Sequence, residues 1–176
     1  MNSKFRRLFA LAIVVSGLGL VLAACAGPER TFCPRIAVLD QAGTITKFAP
    51  GTQNVMFTAE ITDMKLKCEV EAPALTQLTV EVDATFVFRR GPAMQGDSVE
   101  VPYFIVITDR RGNLLTKQEF KVRARFGNAA QVQVTDGTWT LYRLARAGSG
   151  LAFETWLGFQ LTEAELAYNR AQRGVK

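Results

Sequence analysis

The feature that most limits the possible folds of this chain is a two-residue alternation of apolar and polar side chains through its centre. In residues 78–88 every second side chain is apolar, and those between are mostly Thr, Glu or Asp. Successive side chains of a β-strand point to opposite faces, so this pattern predicts a strand with one buried and one solvated face. Residues 55–62 and 65–71 alternate in the same way and are predicted to be two further strands.

More strands are predicted downstream at short intervals. Residues 99–108 are more continuously apolar, which favours a central strand covered on both faces. Residues 109–113 contain Asp, Gly and Asn and predict a hairpin turn into a strand over 114–126. Strands over 138–143 and 151–159 bring the total to about seven. Antiparallel strands with no long helix between them predict an all-β fold, an immunoglobulin- or fibronectin-like antiparallel β-sandwich, rather than a βαβ sheet.

The two ends of the folded region differ from this pattern. Residues 36–39 and 44–46 are expected to form either a small hairpin or an extended edge. At the other end, Thr162 and Glu165 have the spacing of a capping box, which predicts a short C-terminal helix that ends near Gln172. A helix of this length is marginally stable in isolation, so we expect it to pack on the sandwich.

The first 24 residues have the features of an export signal. Lys4, Arg6 and Arg7 precede an apolar run over residues 8–24. The run ends in Leu-Ala-Ala-Cys at Cys25, which resembles the lipobox of bacterial lipoproteins, whose cysteine becomes the lipid-bearing N-terminus after cleavage. We therefore interpret the first 24 residues as a lipoprotein signal peptide.

This interpretation divides the rest of the chain into a lipidated tether, residues 25–32, and a β-sandwich domain with its C-terminal helix, residues 33–176. By the same resemblance, Ala26 favours transport to the outer membrane, with the protein lipid-anchored on its periplasmic face. The eight residue steps from Cys25 to the domain extend at most about 28 Å, so the domain is expected close to the membrane. A plain secretory signal with a free Cys25, or an uncleaved anchor, is the alternative.

Charge and composition exclude several classes of function. Removal of the signal takes three of the 21 basic residues and none of the 16 acidic ones, which leaves 152 residues with a net charge of +2. A nearly neutral domain gives no electrostatic reason to expect a nucleic-acid partner. The chain has no histidine, which excludes Ser-His-Asp and Cys-His catalysis and His-ligated metals. We expect no catalytic residues, no metal and no cofactor. An enzyme using Ser98 or Ser149 is the least favoured class.

Two cysteines remain once Cys25 is assigned to lipid. Cys33 and Cys68 lie in a chain that is predicted to enter an oxidising compartment, so we expect them to form a disulfide. A disulfide that closes this loop stabilises a fold by roughly 3–4 kcal/mol on the chain-entropy model. A redox or metal site is the alternative, but the spacing is not Cys-x-x-Cys and there is no third ligand.

Two arginine pairs, Arg89-Arg90 and Arg110-Arg111, flank predicted turns. Arginine suits lipid or lipopolysaccharide phosphates, and it also keeps turns soluble. The sequence leaves both roles open and favours the second.

Trp156 does not fit the predicted strand over 151–159, because it is out of phase with Phe153 and Leu157. Either a bulge turns Trp156 into the core, which is the favoured interpretation, or the side chain faces outward and marks a contact surface. The predicted helix carries Leu166 and Tyr168. Trp156, Leu166 and Tyr168 are therefore the candidate partner contacts.

Several short motifs together are similar to a group of small, uncharacterised alphaproteobacterial envelope lipoproteins. These motifs are the lipobox, Cys-Pro-Arg at 33–35, Pro-Tyr-Phe at 102–104, Gly-Phe-Gln-Leu-Thr at 158–162 and Leu-Ala-Tyr-Asn-Arg at 166–170. The resemblance covers most of the mature chain. It implies an envelope location and a disulfide, and no reaction is known for the proteins of this group.

These observations predict a non-enzymatic, lipid-anchored interaction or accessory module of the envelope. It would contact the membrane through its N-terminal lipid and bind an envelope protein at the membrane surface. The alternative is a periplasmic-face carrier or sensor that binds an apolar ligand between the sheets.

Overall fold

The computed structural model describes residues 33–70, 77–143 and 152–174, and the predicted signal peptide and tether lie outside these ranges. The described residues form eight strands, a 3-10 turn over Asp40–Ala42 and one α-helix. The strands are β1 (Arg35–Val38), β2 (Thr44–Phe48), β3 (Val55–Val70), β4 (Gln77–Arg90), β5 (Ser98–Asp109), β6 (Leu114–Arg125), β7 (Gln131–Arg143) and β8 (Phe153–Phe159), and helix α1 is Glu163–Gln172.

The strands form two four-stranded sheets that pack face to face. The first sheet has the order β1-β8-β5-β6 and the second β2-β3-β4-β7. Neighbouring strands are antiparallel except β1 and β8, which are parallel. The predicted all-β sandwich with one short C-terminal helix is confirmed.

The core lies between the sheets and is built from the inward side chains of both. Tyr103, Phe86 and Phe159 are fully buried, and the Phe86 ring lies 5.0 Å from Tyr103 and 5.8 Å from Phe159 between centroids. Tyr142 and Thr155 join the two sheets through a 2.5 Å hydrogen bond between their hydroxyl groups. Burial raises the pKa of Tyr142 to about 12, so its hydroxyl remains protonated.

The two strands predicted over 55–62 and 65–71 are a single strand, β3. A bulge between Ile61 and Asp63 adds one residue to β3 relative to β4, since Ile61 pairs with Phe86 and Asp63 with Thr85. The extra residue shifts the alternation by one position, so odd-numbered side chains point inward before the bulge and even-numbered ones after it. In the sequence, this change of phase resembles a break between two strands. The prediction of two separate strands was therefore wrong.

Other predictions for the strands are confirmed only in part. Residues 36–46 form no hairpin but have the alternative predicted form of extended edges, because β1 lies at the edge of the first sheet and β2 at the edge of the second. Strand β7 starts at Gln131, well before the predicted residue 138, because Val132 and Val134 already alternate toward the core. Strand β5 is central as predicted, but its outer face is only partly covered.

The disulfide between Cys33 and Cys68 is present, with the two Cα atoms 5.8 Å apart. Cys33 lies two residues before β1 of the first sheet, and Cys68 lies on β3 of the second. The covalent bond therefore fastens the beginning of the domain across both sheets.

Helix α1 begins with the predicted capping box. The Thr162 side chain accepts from the Glu165 backbone N–H, and the Glu165 carboxylate accepts from the Thr162 backbone N–H. The buried Asn169 side chain donates to the backbone carbonyls of Gln41 and Thr44 at 2.9 and 2.8 Å. These polar contacts hold the helix against the segment that links β1 to β2.

Candidate functional site

An apolar groove of about 550 Å³ opens on the outer face of the first sheet, beside helix α1 and the 3-10 turn. Its volume falls within the range of sites that hold a small molecule or an inserted side chain. The lining residues are Leu39, Asp40, Gln41, Ala42, Phe104, Trp156, Phe159, Gln160, Leu161 and Leu166.

Trp156 faces outward and forms part of this lining. It pairs with Val106 of β5 and with Ala37 of β1, so these three residues share the outer face of the sheet. Its ring nitrogen donates to the Thr108 hydroxyl at 3.3 Å, which fixes the orientation of the indole. The favoured interpretation, that a bulge turns Trp156 into the core, was wrong, because β8 pairs with β5 in regular register.

Phe104 lines the groove on the neighbouring strand β5. Its ring faces the Lys117 ammonium, which lies 5.0 Å from the ring centroid. The same ammonium donates to the Gln160 side chain at 2.8 Å, at the border of the groove. The ammonium also pairs with the Glu119 carboxylate at 2.8 Å, so its charge is balanced within the domain.

Gly158 allows the 3-10 turn to lie close to the sheet at this place. A Cβ atom on Gly158 would come within 2.8 Å of the Ala42 Cβ and 3.1 Å of the Phe104 ring. Only a residue without a side chain fits between the turn and the aromatic ring. The position and width of the groove therefore depend on glycine at this position.

Helix α1 contributes Leu166 to the groove but not Tyr168. The two residues are separated by two positions, about 200° around a helix, so they point to different sides. The Tyr168 ring packs edge-on against Phe48 at 5.1 Å between centroids. The structure thus brings together Trp156 and Leu166 of the three candidate contacts and places Tyr168 elsewhere.

Polar side-chain contacts fix helix α1, which contributes Leu166 to the groove. Burial opposes ionisation of Glu165, but hydrogen bonds from Lys47 and the Thr162 backbone outweigh it and hold the pKa of the Glu165 carboxyl below its usual value. Arg170 donates to the Gln41 side chain at 2.8 Å, and Arg173 pairs with Asp40. The groove is therefore a preformed feature of the domain.

Most of the lining is not predicted by the sequence. Phe104 belongs to a strand that is predicted to be covered on both faces, and no motif marks Leu39 or Leu161 as a contact residue. The outward orientation of Phe104 could have been predicted from the alternation within β5, because Phe104 lies between the buried Tyr103 and Ile105. The 3-10 turn next to Trp156 has no comparable local signal.

Other candidate residues within the described ranges contact the domain itself or are exposed. Arg89 pairs with Glu60, and Arg90 donates to the backbone carbonyls of Gly96 and Gly127. Ser98 is exposed at the start of β5, and Ser149 lies outside the described residues. Within the described part of the chain, no group of three His, Cys, Asp or Glu side chains is placed to hold a metal ion.

No helix in the described ranges has the length and apolar character needed to cross a membrane. The chain matches no protein-family model and shows no significant sequence similarity to curated proteins. Among solved structures it is similar to a DUF1425 family member from Shewanella sp. pv-4, with 10% sequence identity and a TM-score of 0.33. The match covers 69% of this chain and 94% of that chain.

Proposed function

We propose that this protein is a non-enzymatic, lipid-anchored interaction module of the bacterial outer membrane. In this proposal Cys25 carries the lipid on the periplasmic face, and the domain binds an envelope protein through the groove at Trp156 and Leu166. The main observation that supports the proposal is that Trp156 of β8 and Leu166 of helix α1 line the same open apolar groove.

The chemistry of the groove suits the docking of an apolar side chain or short segment from a protein. A central aromatic in a preformed pocket is the usual energetic anchor of a protein interface. Trp156 is held in place by Thr108, so little side-chain entropy is lost on binding.

Site-specific photocrosslinking in intact cells tests this proposal. A photoreactive residue at Gln160, at the exposed rim of the groove, is expected to give one discrete protein adduct. The same residue at Gln133, exposed on β7 of the other sheet, is the matched control and is expected to give none.

A second variant tests whether formation of the adduct depends on the groove. Trp156→Ser in the Gln160 crosslinking background removes the aromatic wall and is expected to abolish the adduct, while urea denaturation confirms that the domain still folds. An adduct that survives Trp156→Ser, or the absence of any adduct specific to Gln160, contradicts the proposal.

The volume and apolar lining of the groove also support the second candidate, a carrier or sensor of an apolar ligand. The ligand would then lie on the outer face of the first sheet and not between the sheets. Organic extraction of the purified protein distinguishes the candidates. A stoichiometric apolar molecule that is present in the unaltered protein and absent from Trp156→Ser favours the carrier.

A further inference from the structure

Two glutamine side chains line the apolar groove. Gln41 lies in the 3-10 turn after β1, and Gln160 immediately follows β8. The Gln160 side chain contacts Lys117 of β6, and β1 and β6 are the two edge strands of the first sheet. One amide therefore approaches the groove from the β1 side, and the other is held on the side of β6.

The oxygen of each amide is occupied by a cation. The Lys117 ammonium donates to Gln160 Oε1, and the Arg170 guanidinium donates to Gln41 Oε1, both at 2.8 Å. An ammonium or a guanidinium has donors and no acceptor, so it can face only the oxygen of an amide. These contacts fix the orientation of both amides and direct each Nε2 group away from its cation.

The two Nε2 groups are free to donate to a ligand. Within the described part of the chain, neither group makes a hydrogen bond to another residue. Gln160 is exposed, and Gln41 is partly buried. The groove thus combines apolar lining residues such as Trp156 and Leu166 with two donors. A ligand that uses both features carries an apolar group next to hydrogen-bond acceptors.

The charges at the groove favour a neutral ligand. Among the described residues of the lining, Asp40 is the one ionisable side chain, and it pairs with Arg173. The Lys117 ammonium next to Gln160 pairs with Glu119 at 2.8 Å. Since the lining contains an acid and no cation, an anionic amphiphile such as a fatty acid is disfavoured.

An extended protein segment meets these requirements. Successive carbonyl groups of an extended backbone point to opposite sides, and every second side chain points to the same face. One apolar side chain can therefore pack on Trp156 while the carbonyls of neighbouring residues face the two amides. The carbonyl groups of an α-helix are used within the helix and could not accept in this way.

We propose that the groove binds an extended, uncharged segment of the partner protein and that Gln41 and Gln160 donate to two of its main-chain carbonyls. This inference rests on the proposed function, because it concerns the same groove. Recognition of the main chain tolerates different sequences, so the apolar side chain that packs on Trp156 decides which segments bind.

Binding of defined peptides by the full chain tests the inference. Trp139→Phe leaves Trp156 as the one tryptophan of the chain, so its emission reports occupation of the groove. The protein is reconstituted in vesicles of uncharged phosphatidylcholine and titrated with acetyl-Thr-Val-Leu-Val-Thr-amide and with the same peptide carrying Phe or Met at its centre. A saturable change of emission is expected with at least one peptide, and dodecanoate at the same concentration is expected to cause none.

Isosteric variants test the two donors. Gln41→Glu and Gln160→Glu keep the oxygen that faces the neighbouring cation and replace the donor by a second oxygen. Each is expected to weaken peptide binding about tenfold, because one hydrogen bond is lost and an acceptor faces the carbonyl. Gln133→Glu adds the same charge at an exposed position of β7 in the other sheet and is expected to leave the affinity unchanged.

Three results of the titration overturn the inference. These are no saturable response to any peptide, equal affinities of Gln41→Glu and Gln133→Glu, and tighter binding of dodecanoate than of the peptides. A change of Trp156 emission with protein concentration, without added peptide, would assign the groove to a second copy of the chain and would also overturn it.

Photocrosslinking in intact cells separates this inference from the proposed function. The photoreactive residue at Gln160 leaves Gln41 as the remaining donor, so Gln41→Glu in that background is expected to abolish the adduct, and Gln133→Glu is expected to preserve it. An adduct that depends on Trp156 but persists in Gln41→Glu overturns the inference alone. The absence of any adduct contradicts the proposed function, and the peptide titration still decides the inference.

Discussion

The side-chain amide of Asn169 donates a hydrogen bond to the backbone carbonyl of Gln41, 128 positions earlier in the chain, at 2.9 Å. Its second amide hydrogen is donated to the carbonyl of Thr44 at 2.8 Å. One buried side chain thus satisfies two carbonyls, one within the 3-10 turn and one at the start of β2. This contact fixes the helix that forms the Leu166 side of the groove.

Asn169→Ala is expected to lower the free energy of unfolding by about 1–3 kcal/mol, because it leaves buried carbonyl groups without donors. Gln172→Ala, at an exposed position of the same helix, is the control and is expected to change stability by less than about 0.5 kcal/mol. Urea denaturation measures both. Equal midpoints for the two variants would show that the Asn169 contacts do not stabilise the domain.

Cys33→Ser and Cys68→Ser are each expected to lower stability by about 3–4 kcal/mol, and by similar amounts, because either change opens the same loop. Addition of a reductant to the unaltered protein is expected to reproduce the loss and to have no further effect on the variants. Denaturation curves with and without reductant provide the measurement. A reductant-insensitive wild type would be inconsistent with a stabilising disulfide.

The Glu165 carboxylate is expected to contribute stability that depends on pH. Its pKa is lower in the folded state than in the unfolded chain, so the contribution is present above the usual glutamate range and is lost as pH falls through the folded-state value. Glu165→Gln keeps a capping-box acceptor and removes the charge. Wild type is expected to be the more stable at pH 7, and the two thermal melting temperatures are expected to converge once the pH falls below the folded-state pKa of Glu165. A constant difference across this range would exclude the ionised carboxylate as the cause.

The mature protein is expected to begin at an acylated Cys25 and to fractionate with the outer membrane. Mass spectrometry of the native N-terminus tests the modification, and membrane fractionation tests the location. Cys25→Ala blocks the predicted acylation and is expected to remove the protein from the outer-membrane fraction. An unmodified Cys25 in the natural protein would refute lipid anchoring.

The local elements could be predicted because their signals are local. Alternation from Leu78 to Phe88 depends only on the two-residue repeat of a strand, and the capping box at Thr162 involves residues three positions apart. The pairing of Cys33 with Cys68 followed because only two cysteines were left. The bulge at Ile61 was the exception, because one inserted residue mimics the end of a strand.

The sequence by itself thus determined the all-β class and the terminal helix, since both follow from side-chain periodicity or residue type along one segment. It also determined the disulfide, since only two cysteines remained after Cys25 was assigned to lipid. Only the tertiary structure decided that Trp156 faces outward and that it shares a groove with Leu166 and Phe104. That groove depends on the register of β8 against β5 and on the contact of Asn169 with the segment before β2. Both relationships join residues far apart in the chain, and such packing is set by the fold as a whole and not by any local pattern.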